Sequence, residues 1–280
     1  MCTATWRCES DSYVLYFNRD ESRARAAERP ARIFRRGGVE SIAPLDGGGG
    51  GTWIGVNEFG FSACLLNLYP SALDPVGSVD PVDPVDPPAA PRTLSRGHLV
   101  IGLLDSSDVR EARARFLEED LRWFRPFRLL TLAPGEPPSC FVWSGEHLVE
   151  RELSASEDQR GLVCSSGWDD AEANRVRGRA WESMVASGPP SDAALLAFHE
   201  SHDTASGAAS VCMHRDDAAT VSLVKVRVDA GVVELLHSRG APCSGVEGRV
   251  LRLPRRALRR GGRAVLAGVA GGSGARSGPR

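Results

Sequence analysis

Lysine is almost absent from this chain of 280 residues, although acidic and basic residues are nearly balanced. Lys225 is the only lysine among the 34 basic residues, so nearly every cation is an arginine, and the planar guanidinium favours bidentate contacts with carboxylates and phosphates. The formal net charge is only −2. A protein that binds nucleic acid over its whole surface is usually far more basic. The composition therefore predicts no nucleic-acid partner.

Two further absences concern the compartment. No basic stretch followed by an apolar run opens the chain, which predicts no secretory signal, and no apolar segment is long enough to cross a bilayer. The seven cysteines are odd in number and irregular in spacing. We therefore expect reduced thiols in a cytoplasmic protein without an integral membrane segment.

Cofactor motifs are also missing. No Cys-x-x-Cys pair and no Cys/His pair has the spacing of zinc ligands, so no metal site is predicted. The glycine run at residues 47–51 leads into a strand instead of opening a helix, which is not the arrangement of a phosphate-binding loop. From these absences we expect no resident cofactor.

What is present begins with two predicted β-hairpins. The first pairs residues 2–8 with 13–17 across a turn at 9–12, and the second pairs 52–56 with 61–66. Helical periodicity predicts three helices, at residues 108–123, 169–185 and 192–199. Further strands are predicted at residues 127–132, 140–143, 148–153, 162–164, 210–213, 219–228 and 232–237.

Strands thus come in hairpins at both ends of the chain, with helices clustered in the middle. This order favours an α+β domain of antiparallel sheets over a doubly wound parallel fold. Asp-Pro-Val repeats at residues 74–91 predict a loop insertion, because proline at that density forbids helix and central strand. The Arg/Gly-rich segment 254–280 predicts a disordered tail, so we expect one domain over residues 1–253.

Cys2 is the residue with the most specific chemistry. A small residue at position 2 normally allows removal of the initiator methionine, which would leave a thiol and an α-amine on one residue. The α-amine has a pKa of about 8, so it can act as the base for its own thiol. Such a residue supplies both nucleophile and base for amide hydrolysis.

The first hairpin brings polar residues to the same sheet edge. A turn centred near Ser10 places Cys2 roughly opposite Asn18, with Arg19 and Asp20 just beyond. An aspartate there can hold the α-amine, and an arginine can lower the thiol's pKa or bind a carboxylate. Asn67 ends the second hairpin, where a side-chain amide is suited to donate to an oxyanion.

Several short segments together resemble the NRDE family, also called transport and Golgi organisation type 2. They are Met1-Cys2-Thr3, Asn18-Arg19-Asp20-Glu21, residues 51–57, Leu65-Leu66-Asn67, residues 211–214 and residues 240–243. The resemblance implies a four-layer αββα sandwich of the N-terminal-nucleophile (Ntn) hydrolase type, with two antiparallel sheets flanked by helices.

The resemblance also implies roles for particular residues. Cys2 would be the nucleophile, Arg19 and Asp20 would lie beside it, and Asn67 would occupy an oxyanion-hole position. Acylases of the wider superfamily carry a second asparagine after a central strand, whereas this chain has Ser166 there. Pocket roles for Asn18 and His214 are further predictions; His199 and His202 are interpreted as a solvated helix end.

Two functions follow from these residues. The first is a cysteine amidohydrolase or acyltransferase that acts on the amide or acyl-thioester of a small molecule. The second is a non-catalytic protein that binds and moves haem, a lipid or an acyl-CoA, as the resemblance to the NRDE family implies. In the second case the pocket would bind haem or one of these other ligands, and Cys2 would be a thiolate ligand or vestigial.

Overall fold

The computed structural model describes residues 2–69, 94–153, 160–202 and 207–257. A six-stranded antiparallel sheet, called the first sheet here, has the order β10-β1-β2-β11-β12-β13. Its strands are β1 (Cys2–Cys8), β2 (Tyr13–Ser22), β10 (Arg160–Ser165), β11 (Ala218–Val228), β12 (Val232–Arg239) and β13 (Arg249–Pro254).

The second sheet contains seven antiparallel strands in simple chain order. They are β3 (Arg29–Arg36), β4 (Val39–Leu45), β5 (Ile54–Asn57), β6 (Ser62–Asn67), β7 (Phe127–Leu132), β8 (Ser139–Trp143) and β9 (Leu148–Glu152). The helices are α1 (Gly97–Leu103), α2 (Val109–Glu118), α3 (Asp170–Val185) and α4 (Asp192–Glu200). Within the described residues, no helix is long and apolar enough to cross a membrane.

Three apolar clusters separate four layers. One lies between the two sheets and includes Trp6 and Leu130. A second packs α1 and α2 against the second sheet, around Phe116, and a third packs α3 and α4 against the first sheet, around Trp181. This is the αββα sandwich that the sequence predicted, since each sheet buries both of its faces.

The side chains of β1 alternate strictly between the two faces of the first sheet. Cys2 and Trp6 point between the sheets and belong to the inner cluster, whereas Thr3 and Thr5 point towards the helix layer, where they bond to Arg177 and His199. Successive side chains of a strand point to opposite faces of its sheet. The inner face of β1 therefore begins with the thiol of Cys2.

The helices begin where the sequence supplies a capping residue. The side chain of Asp169 accepts from the backbone N–H of Glu172 at the start of α3, and Ser191 accepts from Ala194 at the start of α4. Such caps satisfy N–H groups that have no partner within the helix. Both helices match their predicted bounds to within one residue.

Two sequence predictions, a strand register and a strand, differ from the structure. The register pairs Cys2 with Arg19, one residue beyond the predicted Asn18, because the turn is centred between Ser10 and Asp11. The predicted strand 210–213 is irregular. Its carbonyl groups instead accept hydrogen bonds from the side chains of Arg177, Asn18 and His202.

The remaining differences concern elements and boundaries. Strands β3, β4 and β13 and helix α1 were not predicted. Pro254 ends β13, and Arg255 donates to the backbone of Asp11 and Asp229, so the ordered chain continues past residue 253. The predicted insertion at residues 74–91 lies outside the described residues, as does the predicted tail from residue 258 onward.

Candidate active site

Cys2 opens the first strand at one edge of the space between the sheets. It pairs with Arg19 on one side and with Ser165 on the other. Its residue is only 7% exposed, yet it lines a cavity. The thiol thus lies at the boundary between the apolar core and a space that a ligand can enter.

Opposing influences act on the thiol of Cys2. Burial raises its pKa above the ordinary value, and the negative charge of Asp20 raises it further. The positive charge of the chain's amino terminus, a hydrogen bond from the Asp20 backbone and the charge of Arg19 lower it, but burial is the largest influence. The thiol is therefore neutral at pH 7 and requires a base before it can attack.

Arg19 is fixed by carboxylates on several sides. Its guanidinium contacts Glu28 and Glu21 at 3.1 Å each and Asp46 at 3.6 Å. It also stacks over the ring of Trp53, 4.4 Å from the centroid. A guanidinium with this many partners cannot swing away, so the cation stays beside Cys2.

A buried network supports Arg19 from behind. Glu28 accepts from Arg19 at 3.1 Å, from Ser222 at 3.0 Å and from His237 Nε2 at 2.7 Å. His237 Nδ1 accepts from the backbone N–H of Ala31. The proton of a neutral His237 therefore lies on Nε2 and points at Glu28. The buried carboxylate of Glu28 thus accepts hydrogen bonds from three side chains.

Asp20 is held on the opposite face of β2. One carboxylate oxygen accepts from Thr220 at 2.6 Å, and the other lies 3.4 Å from Arg177. Arg177 is completely buried on α3 and also donates to Thr3 and to the carbonyl of Ser210. A buried ion pair needs such additional hydrogen bonds to offset the cost of removing both charges from water.

The cavity beside Cys2 has a volume of about 360 Å³, which falls within the range of small-molecule sites. Asn67 lines it as well, and its side-chain amide donates to the Tyr69 hydroxyl at 3.4 Å. The full lining is Cys2, Arg19, Asp20, Glu21, Arg25, Asp46, Gly48, Gly49, Thr52, Trp53, Leu65, Asn67, Leu94, Ser95, Arg96, Gly97 and Arg125.

Arg96 is a cavity cation that donates to a backbone carbonyl and not to a carboxylate within the described residues. It donates to the carbonyl of Pro126 at 2.8 Å, and no carboxylate of the described residues forms an ion pair with it. Burial lowers the pKa of its guanidinium from the ordinary value. A half-buried cation without a carboxylate partner attracts an anionic group.

The four central residues of the sequence prediction therefore share one cavity: Cys2, Arg19, Asp20 and Asn67. With this geometry established, comparison with known proteins identifies the family. The profile of the family described as Transport and Golgi organisation 2 matches residues 1–171. The chain belongs to that family. No curated protein matches the chain.

Several solved structures are similar to this chain in fold. Penicillin V acylase from Agrobacterium tumefaciens is 13% identical, with a TM-score of 0.50 over 91% of this chain and 86% of its own. A Caenorhabditis elegans N-acylethanolamine-hydrolyzing acid amidase orthologue is 12% identical, with a TM-score of 0.52 over 80% and 92%. A mutant conjugated bile acid hydrolase from Clostridium perfringens is 11% identical, with a TM-score of 0.55 over 91% and 92%. These similarities show an Ntn-hydrolase fold.

The other predicted site residues of this family member do not line the cavity. The hydroxyl of Ser166 accepts from the backbone N–H groups of Trp168 and Asp169, and the residue is buried. Asn18 donates to the carbonyls of His199 and Val211 on the helix side of the sheet. These contacts assign both side chains to the support of loops and helices.

His214 lies away from Cys2, beside Cys212 and Cys243. His199 is completely buried and bonded to Thr5, so its interpretation as part of a solvated helix end was wrong. His202, three residues later, is exposed.

Sequence analysis missed the residues that hold Arg19 and Asp20 in place. Arg177 carried a usable signal, because it occupies the apolar stripe of a predicted helix together with Ala173 and Trp181. Glu28 and His237 carried none, since each becomes part of the network only when two distant strands meet.

Proposed function

We propose that this protein is a cysteine amidohydrolase of the Ntn type, with Cys2 as the nucleophile after removal of Met1. One observation carries the proposal: Cys2 lines a cavity of about 360 Å³ together with Arg19 and Asn67. The burial that keeps this thiol neutral suits a nucleophile that is activated only when a base takes its proton.

Cys2 has two roles in the reaction: its thiol is the nucleophile and its α-amine is the base. The α-amine of Cys2 takes the thiol proton as the sulfur attacks the carbonyl carbon of the amide. The C–N bond breaks, the α-ammonium returns the proton to the departing nitrogen, and an acyl-thioester forms. Water then attacks the thioester with the α-amine as base, which releases a carboxylic acid and restores the thiol. If an amine replaces water in the last step, the same site is an acyltransferase.

Asn67 is the group best placed to stabilise the negative oxygen of the tetrahedral intermediate. Its present bond to Tyr69 measures 3.4 Å, which is long for a hydrogen bond. The amide can therefore be turned towards a substrate oxygen at little cost. Loss of one oxyanion donor typically costs about 2.7–4 kcal/mol of transition-state stabilisation.

The lining of the cavity supports a polar, anionic substrate. Proteins of this fold are named for the cleavage of penicillin V, N-acylethanolamines and conjugated bile acids, which supports the amide of a small molecule. Arg96 adds a cation without a carboxylate partner in the described structure, so we propose that the substrate carries a carboxylate or another anion.

Haem or lipid carriage is the second function predicted from the sequence, and the cavity lining favours it less. Seven of the lining residues are charged, whereas large apolar side chains are few: Trp53, Leu65 and Leu94. A haem or acyl-chain site is usually lined by apolar groups. A haem titration followed by the Soret band tests this function directly.

The decisive experiment begins with the intact mass of the purified protein, which is expected to lack Met1. Purified wild type, Cys2→Ala and Cys8→Ala are then incubated with an acyl-thioester-forming amide probe, and labelled peptides are mapped by mass spectrometry. Cys8 is the matched control because it lies on the same strand and the same face as Cys2. We expect label on Cys2 in wild type and Cys8→Ala.

The same three proteins are assayed against a panel of N-acyl amides with and without a carboxylate. Turnover should fall at least about 10⁴-fold in Cys2→Ala, since the nucleophile is lost. Retained Met1, or undiminished turnover in Cys2→Ala, would overturn the proposal. A Soret shift without turnover would instead select the haem-binding function.

A further inference from the structure

Four metal-binding side chains that the sequence keeps apart meet at one place in the fold. They are His202, Cys212, His214 and Cys243, and one ligand atom from each lies within 4.8 Å of all the others. This cluster, called the Cys₂His₂ cluster here, joins the end of α4, the segment before β11 and the 3-10 helix Pro242–Ser244. None of its members lines the cavity beside Cys2.

Two of the distances in the cluster are close to those of a tetrahedral zinc site. Zn–S bonds of about 2.3 Å and Zn–N bonds of about 2.05 Å at tetrahedral angles place sulfur and nitrogen about 3.6 Å apart. His214 Nε2 lies 3.5 Å from Cys212 Sγ and 3.3 Å from Cys243 Sγ. The largest separation, 4.8 Å, has to shorten by about 1 Å, which a rotation of an exposed side chain can supply.

One imidazole nitrogen and two thiol sulfurs meet in this cluster. A single nitrogen, His214 Nε2, faces two thiols, and it can share at most one proton or one lone pair with them. A cation that both thiolates and the nitrogen bind together satisfies all three atoms.

His202 is oriented by the chain itself. Its Nδ1 lies 3.1 Å from the carbonyl oxygen of Cys212, so Nδ1 must be the donor and Nε2 of the neutral ring keeps its lone pair. A backbone carbonyl commonly orients a metal-binding histidine in this way. The ring lies 5.0 Å from that of His214, nearly perpendicular to it.

We propose that the Cys₂His₂ cluster binds one zinc ion in a structural site. Two thiolates and two imidazoles are the donors that Zn²⁺ prefers, whereas Mg²⁺ and Ca²⁺ prefer oxygen. Four protein ligands leave no open position, which is the arrangement of a structural site and not of a catalytic one.

The zinc ion would stabilise the segment that supports Asp20. Met213 exchanges two hydrogen bonds with Thr220, and the same Thr220 hydroxyl donates to Asp20. Ser210, two residues before Cys212, accepts from Arg177. Zinc at this place would fix the backbone of residues 210–214 against both partners of the Asp20 carboxylate.

Cobalt binding provides the test. Because Co²⁺ bound tetrahedrally by thiolates gives strong charge-transfer bands, metal-free reduced protein is titrated with Co²⁺ and then with Zn²⁺. All titrations use the Cys2→Ala background, so that the proposed nucleophile cannot contribute a thiolate and the result does not depend on any enzyme activity. We expect one equivalent of Co²⁺ to produce the bands and one equivalent of Zn²⁺ to remove them.

Matched variants locate the site. Cys243→Ser and His202→Gln replace exposed members of the cluster, and each should weaken zinc binding at least about 100-fold. Cys140→Ser and His147→Gln, at a cysteine and a histidine outside the cluster, should bind as the parent does. Thiolate bands that are absent from the reduced parent, or retained in both cluster variants, would overturn the proposal; so would a Cys212–Cys243 disulfide that resists reduction in the folded protein.

Discussion

The imidazole of His199 is completely buried on the helix side of the first sheet. Its Nε2 lies 2.8 Å from the Thr5 hydroxyl, and its ring stacks on Tyr16 at 5.5 Å. Nδ1 has no hydrogen-bond partner among the described residues. Burial, together with the positive charge of Arg177, lowers the pKa of His199 to about 3, so this histidine is neutral in the folded protein.

The pKa of His199 is lower in the folded protein than in the unfolded chain, so the stability of the fold depends on pH. The unfolded chain takes up a proton on His199 as the pH falls below about 6.5, whereas the folded chain does not until about pH 3. The stabilisation is therefore fully present above pH 6.5 and is lost towards pH 3. The free energy of unfolding that is lost between pH 7 and pH 5 amounts to about 2 kcal/mol.

Urea denaturation at pH 7 and pH 5 measures this contribution. His199→Gln cannot be protonated, so its free energy of unfolding should fall by about 2 kcal/mol less than that of wild type over the same interval. His147→Gln, at an exposed histidine, should behave as wild type does. Equal losses in wild type and His199→Gln would show that His199 does not retain its lowered pKa.

The sequence alone predicts the positions of some site residues but not of others. Cys2 and Asn67 could be predicted as neighbours of a site because each lies at the end of a predicted strand. The partners of Asp20 and Glu28 could not, because Arg177 and His237 lie 157 and 209 positions away along the chain. Such pairs are determined by strand order and sheet packing, which local patterns do not encode.

At the scale of elements, the contact between β1 and β10 leaves no room for a side chain at Gly161. A methyl group there would lie 2.2 Å from the ring of Trp6, and this ring is itself only 1% exposed. The Trp6 ring cannot move away from the methyl group without displacing β1, the strand that carries Cys2. Gly161→Ala should therefore lower the free energy of unfolding by about 1–3 kcal/mol.

Gly178 is the natural control, because it is a glycine in the interior of α3 with no atom within 4 Å of an added methyl group. Gly178→Ala should raise the free energy of unfolding by about 1 kcal/mol, since alanine favours the helix. Chemical denaturation of both variants gives the comparison. A neutral Gly161→Ala would mean that β10 does not pack against Trp6 in solution.

Elements were predictable where apolar residues recur at a regular period. Strand β3 lacks such a period, because six of its eight residues are exposed and four are arginine. Helix α1 is short and has no side-chain cap at Arg96, so no start signal marked it. The segment 210–213 showed the opposite error: its residues favour a strand, but its carbonyl groups accept hydrogen bonds from the side chains of Arg177, Asn18 and His202.

At the scale of the whole molecule, the order of strands and helices predicted an α+β domain of antiparallel sheets, whereas the four-layer αββα arrangement was implied by the resemblance to the NRDE family. Hairpins at both ends of the chain require antiparallel sheets, and amphipathic helices must cover their outer faces. The position of the cavity could not be predicted, because it lies where β1, β2, β6 and the loop before α1 converge. That convergence depends on how the two sheets are offset.

The same layers govern the reactivity of the seven thiols, all of which are free. Burial raises the pKa of Cys8 to about 12 and those of Cys140 and Cys164 to about 11, and Cys64 is wholly buried. Cys243 alone is exposed. Burial therefore both shields the four core thiols from solvent and keeps them protonated, whereas Cys243 is open to solvent.

Pulse alkylation of the metal-free protein with iodoacetamide, followed by peptide mass spectrometry, measures the relative reactivity of the core thiols and Cys243. Global opening costs about 5–15 kcal/mol, so the core thiols should react at least about 1,000-fold more slowly than Cys243. In urea all seven should react at similar rates. Fast modification of Cys140 or Cys164 in the folded protein would contradict the layered packing. One equivalent of Zn²⁺ should slow Cys243 and leave Cys2 unchanged, because the cluster and the cavity are separate sites.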